Sequence, residues 1–186
     1  MKFLPHFVKR LKKQGNCIEP GFCSRGLLLI MDTEKQDFII NELIPRLKRL
    51  SANAAGIWGK MNAQQMVEHL SRIFNVSSGK SFYPLLTPLE DLPKYRQFLL
   101  GDKVFRENTI GPEGIVPKEP AAARNNTYLD ALDELQLEIN DFVKFFTDNP
   151  GEKTMHPVFG ELNFEEWVLI HYKHVQHHAR QFGMLD

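Results

Sequence analysis

Four of the chain's seven histidines, His171, His174, His177 and His178, fall within eight residues of one closing stretch, WVLIHYKHVQHHARQF. Histidine is a poorer helix former than leucine or alanine, and a neutral imidazole in a core needs partners for both ring nitrogens. Metal ligation is the chemistry that would give such a cluster a purpose. With about 3.6 residues per turn and His174 set at zero, Trp167 falls near ~20°, His178 near ~40°, His171 near ~60° and His177 near ~−60°. Trp167, His171, His174 and His178 therefore share a face. His174 and His178 stand at i, i+4, the spacing that lets two imidazoles on one helix reach the same ion. His69, in the middle of an apolar stripe far upstream, is a candidate third nitrogen. Three neutral imidazoles around one divalent cation leave a coordination position for water or substrate, as in catalytic rather than closed structural centres.

Simpler readings stand beside this one. A core histidine such as His69 is commonly a hydrogen-bonded polar group and nothing more. The closing tract is no purification tag, because Trp167, Tyr172 and Val175 are interleaved with it at helical spacing. His171 either lines the pocket or takes the place of His174, and His177 points off the axis of the pair and reads as a surface residue. Trp167 reads as core rather than as a cofactor contact.

The elements that must position these residues are helices. From Asp32 and Thr33, which can cap a helix, Phe38, Ile39, Leu43, Leu47 and Leu50 recur at three and four, so a first helix runs to about Leu50. Pro45 inside it predicts a kink near Leu43 or an early break. SANAAGIWGK is the connection to a second helix, where Asn62 and Gln65 have the spacing of a capping box. Its stripe is Met66, His69, Leu70, Ile73 and Phe74, ending before Gly79. Residues 80–124 hold six prolines and predict a long crossover or lid with one short helix around Pro93 to Leu100. A third helix starts at Asn126 or Thr127 and stops before Asn149. A fourth, with Asn163 and Glu166 as its capping box, follows HPVFGELN and continues to Phe182 or Gly183. No strand alternation and no internal repeat is present. The expected fold is all-α, a four-helix bundle with a long crossover between helices two and three.

Composition narrows the partners. A chain of 186 residues suits one hydrophobic core. Its zero formal charge argues against a nucleic-acid partner, which would call for a basic face, and points to a small molecule. No window approaches the roughly 20 apolar residues of a membrane span, so no integral membrane protein is expected. Residues 1–30 differ from the rest, with six basic residues against Glu19 alone, a net +5 that leaves −5 for the remainder. FLPHFV is too short and too broken by proline for the apolar core of a signal peptide, so the cytoplasm is the expected location. Cys17 and Cys23 lack the spacing of a zinc site and read as incidental thiols. With Met31 directly before the first helix, residues 1–30 read as a disordered extension from an upstream translation start, and residues 31–186 as the folded domain.

WGKMNAQQMVEHLS (Trp58 to Ser71), taken with HPVFGELNFEEWVLIHYKHVQHHARQFG (His156 to Gly183), resembles the DinB/YfiT-like superfamily of metalloenzymes, and within it a branch known only as a domain of unknown function. The resemblance spans Met31 to Asp186. It implies a four-helix bundle, often a homodimer, with one metal ligand on the second helix and an i, i+4 pair on the last. Carried onto this chain, the ligands are His69, His174 and His178. The superfamily's HHRGQ stands here as HHARQ, with Arg180 displaced by one position. The resemblance also implies that the metal activates a low-molecular-weight thiol for transfer or isomerisation, and it implies no DNA binding. Three imidazoles suit Zn, Ni, Fe or Mn alike.

The expected function is thus a thiol-dependent S-transferase acting on an electrophilic small molecule, with Phe82, Tyr83, Tyr95, Phe98 and Phe105 of the crossover available to shape an apolar pocket. The alternatives are a non-catalytic metal- or ligand-binding stress protein and a metal-dependent hydrolase, for which Glu68, Glu166 and His171 are the candidate bases. Residues 1–30 lie outside the pattern, so their deletion should leave the melting temperature almost unchanged. A loss of several degrees, on the order of 1 kcal/mol, would show that the segment packs on the domain.

Overall fold

The computed structural model describes residues 33–109, 111, 115, 117 and 119–185. The reading of residues 1–30, including Cys17 and Cys23, lies outside the described residues. The described chain is predominantly helical, with five helices and one small two-stranded sheet. No helix among the described residues is long and apolar enough to cross a membrane.

Helix α1 is a continuous run of three segments, α-helical at Thr33–Asp37, π-helical at Phe38–Glu42 and α-helical again at Leu43–Leu47. Pro45 has no N–H to return to the carbonyl four residues back, and its ring crowds that carbonyl. The helix widens just before it, and the Leu43 N–H bonds to the Phe38 carbonyl five residues back. The disturbance expected near Leu43 is therefore a π turn, and the helix stops at Leu47 rather than Leu50. Ile39, Leu43 and Leu47 are its buried face.

Helix α2 spans Ala63–Ser77, α3 Leu92–Leu100, α4 Tyr128–Asp148 and α5 Phe164–Gln181. Both capping boxes read from the sequence form. The Asn62 side chain accepts from the Gln65 N–H while the Gln65 side chain accepts from the Asn62 N–H, and Asn163 and Glu166 do the same. A third box, Thr127 with Asp130, opens α4. It was hidden because aspartate replaces the usual glutamate or glutamine at its third position. Helices α2 and α4 pack most extensively on each other, with Met66, Leu70, Phe74, Leu132, Leu135, Ile139 and Phe142 buried between the elements.

The stretch between α4 and α5 holds an antiparallel hairpin, β1 (Thr154–His156) and β2 (Gly160–Leu162), in register Thr154 to Leu162. This corrects the expectation of no strands; three-residue strands leave no readable period. Gly160, at φ +80°, supplies a turn conformation that other residues resist. His156 Nδ1 accepts from the N–H groups of Val158 (2.9 Å) and Phe159 (3.3 Å), closing the turn.

The crossover contains α3, as read, preceded by a 3₁₀ turn at Leu89–Asp91. Buried or half-buried charges tie it down. Lys173 of α5 donates to the carbonyls of Gly101 (2.6 Å) and Lys103 (2.7 Å), Arg180 to that of Phe105 (3.1 Å), and Arg96 of α3 pairs with Glu166. At the far end Glu68, only 2% exposed, accepts from the backbone N–H groups of Arg124 (2.8 Å) and Asn125 (2.9 Å). Burial pushes its carboxyl up, but those N–H groups, Gln64 and the Arg124 guanidinium outweigh burial and hold it below its ordinary value. Glu68→Ala would strand the two N–H groups of Arg124 and Asn125 just before α4, each costing about 1–3 kcal/mol if left unsatisfied. Urea unfolding should show a loss of about 2 kcal/mol with native helicity retained.

Candidate metal centre

Helices α2 and α5 bring the three sequence-selected histidines to one point. His69 Nε2 lies 3.0 Å from His174 Nε2, and His174 Nε2 lies 3.0 Å from His178 Nε2. All three ligand atoms fall within 4.8 Å of one another. With Zn–N bonds of about 2.0–2.1 Å, two ligands in a tetrahedral site sit about 3.4 Å apart, inside the range spanned here. His178 is buried, whereas His69 and His174 each keep an edge toward solvent.

The protonation pattern follows from the partners. His178 Nδ1 lies 2.7 Å from Gln181 Oε1, which can only accept, so Nδ1 carries the proton and Nε2 presents its lone pair to the cluster. His174 Nε2 faces two nitrogens and has at most one hydrogen to offer, so an unmatched lone pair remains in the cluster unless a cation or a further donor meets it. Burial, joined by the charges of Arg72 and His177, pushes His69 down to about 4. Burial and His69 push His178 down to about 3 against the opposing bond to Gln181, and burial takes His174 well below its ordinary value. All three are neutral at neutral pH, the form that ligates metal.

The other two histidines of α5 do different work. His171 is fully inside, bonded through Nε2 to Ser77 Oγ (2.9 Å) and stacked on Phe74 with ring centroids 3.8 Å apart. It belongs to the core and neither lines the site nor substitutes for His174. His177, expected at the surface, is only 8% exposed. Its ring packs edge-on to Trp58 (6.1 Å), Phe105 (5.9 Å) and His178 (5.2 Å). The sequence reading missed this because the elements that cover it, the Trp58 turn and the crossover, carry no period. Trp167 is core, as read, stacked on His171 at 5.4 Å.

The remaining candidates separate cleanly. Glu68 and Glu166 are engaged by the crossover and by the α5 cap with Arg96, so neither is a free base. Of the crossover aromatics, Phe105 reaches His177, and Phe98 packs on Phe105 at 5.0 Å. Tyr95 lies on Phe159, and Phe82 is 76% exposed, so neither builds a wall of this site. Gln181 was not singled out from the sequence; its position one turn beyond His178 was the available signal.

Buried neutral histidines make stability depend on pH. Burial pushes His156 from 6.5 down to about 3. The unfolded chain then takes up that proton more readily, so the contribution is complete above about pH 6.5 and is lost as pH falls toward 3, at about 1.4 kcal/mol per pH unit. His69, His171, His174 and His178 shift in the same direction. Thermal unfolding of chelator-treated protein at pH 7, 6 and 5 should show a falling midpoint, and His156→Phe should make the slope shallower. A flat profile would contradict the burial of these rings.

No curated protein and no solved structure matches this chain. A family model described as "Protein of unknown function (DUF1569)" matches residues 34–184, a span that takes in all five helices from Glu34 onward and the three converging histidines. By that match across most of its length, the chain belongs to the DUF1569 family.

Proposed function

We propose that this protein is a metal-dependent enzyme in which α1, α2, α4 and α5 form a DinB-like four-helix bundle and His69, His174 and His178 hold one divalent ion. The reaction is S-transfer from a low-molecular-weight thiol to an electrophilic small molecule. The observation that carries this reading is the meeting of three neutral Nε2 atoms from two separate helices, with that of His174 lying 3.0 Å from each of the other two. Zn, Ni, Fe and Mn all accept imidazole ligands. When bound, the ion would favour thiolate over thiol and supply a nucleophilic sulfur at neutral pH without a protein cysteine.

The protein's own groups supply the setting. The α2 and α5 backbones hold the nitrogens in register, and Gln181 keeps the His178 proton on the far side of its ring. Trp58, His177 and Phe105 form an aromatic wall beside His178 that excludes water from one flank. Base-assisted hydrolysis has less support, because Glu68, Glu166 and His171 all have structural partners.

One observation favours a second reading, a module that binds a metal or small ligand without turnover. Lys173, Arg180 and Glu68 pin the crossover at several points, which restricts its use as a moving lid.

Elemental analysis should find one divalent ion per chain. His174→Ala or His178→Ala should abolish it with helical content unchanged, a larger effect than the about 10- to 100-fold of a lost outer-shell partner. Full occupancy in either variant would overturn the site. Metal-loaded protein should then accelerate the reaction of at least one thiol with a chromogenic electrophile. No rate above the metal-free control with any thiol would leave the binding module.

A further inference from the structure

Gln181 is 4% exposed and ties His178, one turn before it, to a turn of chain 123 residues upstream. Its side-chain NH₂ donates to the Trp58 carbonyl at 2.8 Å, its side-chain oxygen faces His178 Nδ1 at 2.7 Å, and its backbone carbonyl accepts from the Ile57 N–H at 2.7 Å. The first contact decides the second. Turning the amide over would set its oxygen against the Trp58 carbonyl, two acceptors face to face, and its NH₂ against a ring nitrogen that would then have to be bare.

The turn Gly56–Gly59 is shaped around this amide. A Cβ on Gly56 would lie 2.7 Å from the Trp58 carbonyl oxygen and 2.9 Å from Gln181 Cγ. A Cβ on Gly59, which also holds φ +78°, would collide with the Gln181 side-chain nitrogen. No bulkier backbone could bring the Trp58 carbonyl so close to the end of α5.

From this geometry we infer that Gln181 is a positioning residue that fixes the Nδ1–H tautomer of His178, through a clip whose other jaw is the Gly56–Gly59 turn, and so aims the His178 Nε2 lone pair at His69 and His174. The inference rests on the metal-binding reading for its consequence, though not for its geometry. Outer-shell groups that orient a ligating imidazole are commonly worth about 10- to 100-fold in metal affinity.

Two variants separate aiming from mere packing. Gln181→Met keeps the length and loses both the acceptor and the donor. Gln181→Glu keeps an acceptor toward Nδ1 and loses the donor to Trp58 just as methionine does. If the residue only packs, the two should weaken zinc binding alike. The inference expects Gln181→Met to lose about 10- to 100-fold in zinc affinity, measured by competition with a chromogenic chelator, and Gln181→Glu to recover most of it.

The second measurement needs no metal. Nitrogen-15 chemical shifts of His178 in the metal-free protein should report Nδ1–H in the wild type and a mixture of tautomers in Gln181→Met. Retention of pure Nδ1–H in Gln181→Met, or equal zinc affinity in the two variants, overturns the inference. A wild type that shows the tautomer and takes up no zinc would refute the metal-binding reading and leave the assignment of Gln181 standing.

Discussion

Three imidazole nitrogens from two different helices, His174 Nε2 lying 3.0 Å from each of the other two and all three within 4.8 Å, set a tolerance that the rest of the structure has to meet. A slip of one residue between α2 and α5 translates a side chain by about 1.5 Å and turns it by about 100°, enough to take His69 out of the cluster. The contacts that fix this register sit above and below the cluster. On one side Ser77, at the end of α2, meets His171 of α5. On the other the turn leading into α2 meets Gln181 at the end of α5. The two helices are thus pinned at both ends of the stretch that carries the site, and the long packing of α2 on α4 supplies the bulk against which both pins hold.

The crossover is organised by a different force. Its many prolines deny it a regular hydrogen-bond ladder, so its backbone groups have to find partners elsewhere. α5 and α2 provide them with charged side chains: Lys173 and Arg180 serve carbonyls at 101, 103 and 105, and Glu68 serves N–H groups at 124 and 125. Hydrogen bonds to charged groups are stronger than neutral ones, and they offset part of the cost of taking those charges out of water. The middle of the crossover and its far end are thereby tied to helices that carry site histidines, Glu68 being the neighbour of His69 and Lys173 that of His174.

What the sequence disclosed and what it hid divide along the same line. Helix starts at Asn62 and Asn163, the short helix near Pro93 and the three converging histidines were all legible, because capping spacing and the 3.6-residue period are local. The fates of His171 and His177 were not. Both lie on α5 within a turn of the pair, and angle alone could not tell which neighbour each would meet. Ser77 and Phe74 come to His171 from α2, and Trp58 and Phe105 come to His177 from segments with no period. The hairpin at 154–162 and the π turn before Pro45 were hidden for a related reason, since each is too short to leave a pattern. The coarse outcome, a predominantly helical chain, needed only local information, while the allotment of histidines to roles needed tertiary contacts.

That allotment explains why one helix carries four imidazoles. His171 brings a polar atom into the core and satisfies it with a hydroxyl, so it stacks on Phe74 and Trp167 as an aromatic ring while pinning α2. His177 contributes mainly its ring, closing an aromatic wall with Trp58 and Phe105. Only His174 and His178 direct nitrogen toward His69. An Nε2 lone pair is useful to a cation only if the opposite nitrogen holds the proton, and holding it there requires an acceptor as thoroughly buried as the ring. Gln181 meets that requirement for His178 because the chain opposite it has two glycines in four residues. The chemistry available at the cluster therefore depends as much on the absence of two side chains at 56 and 59 as on the presence of three imidazoles.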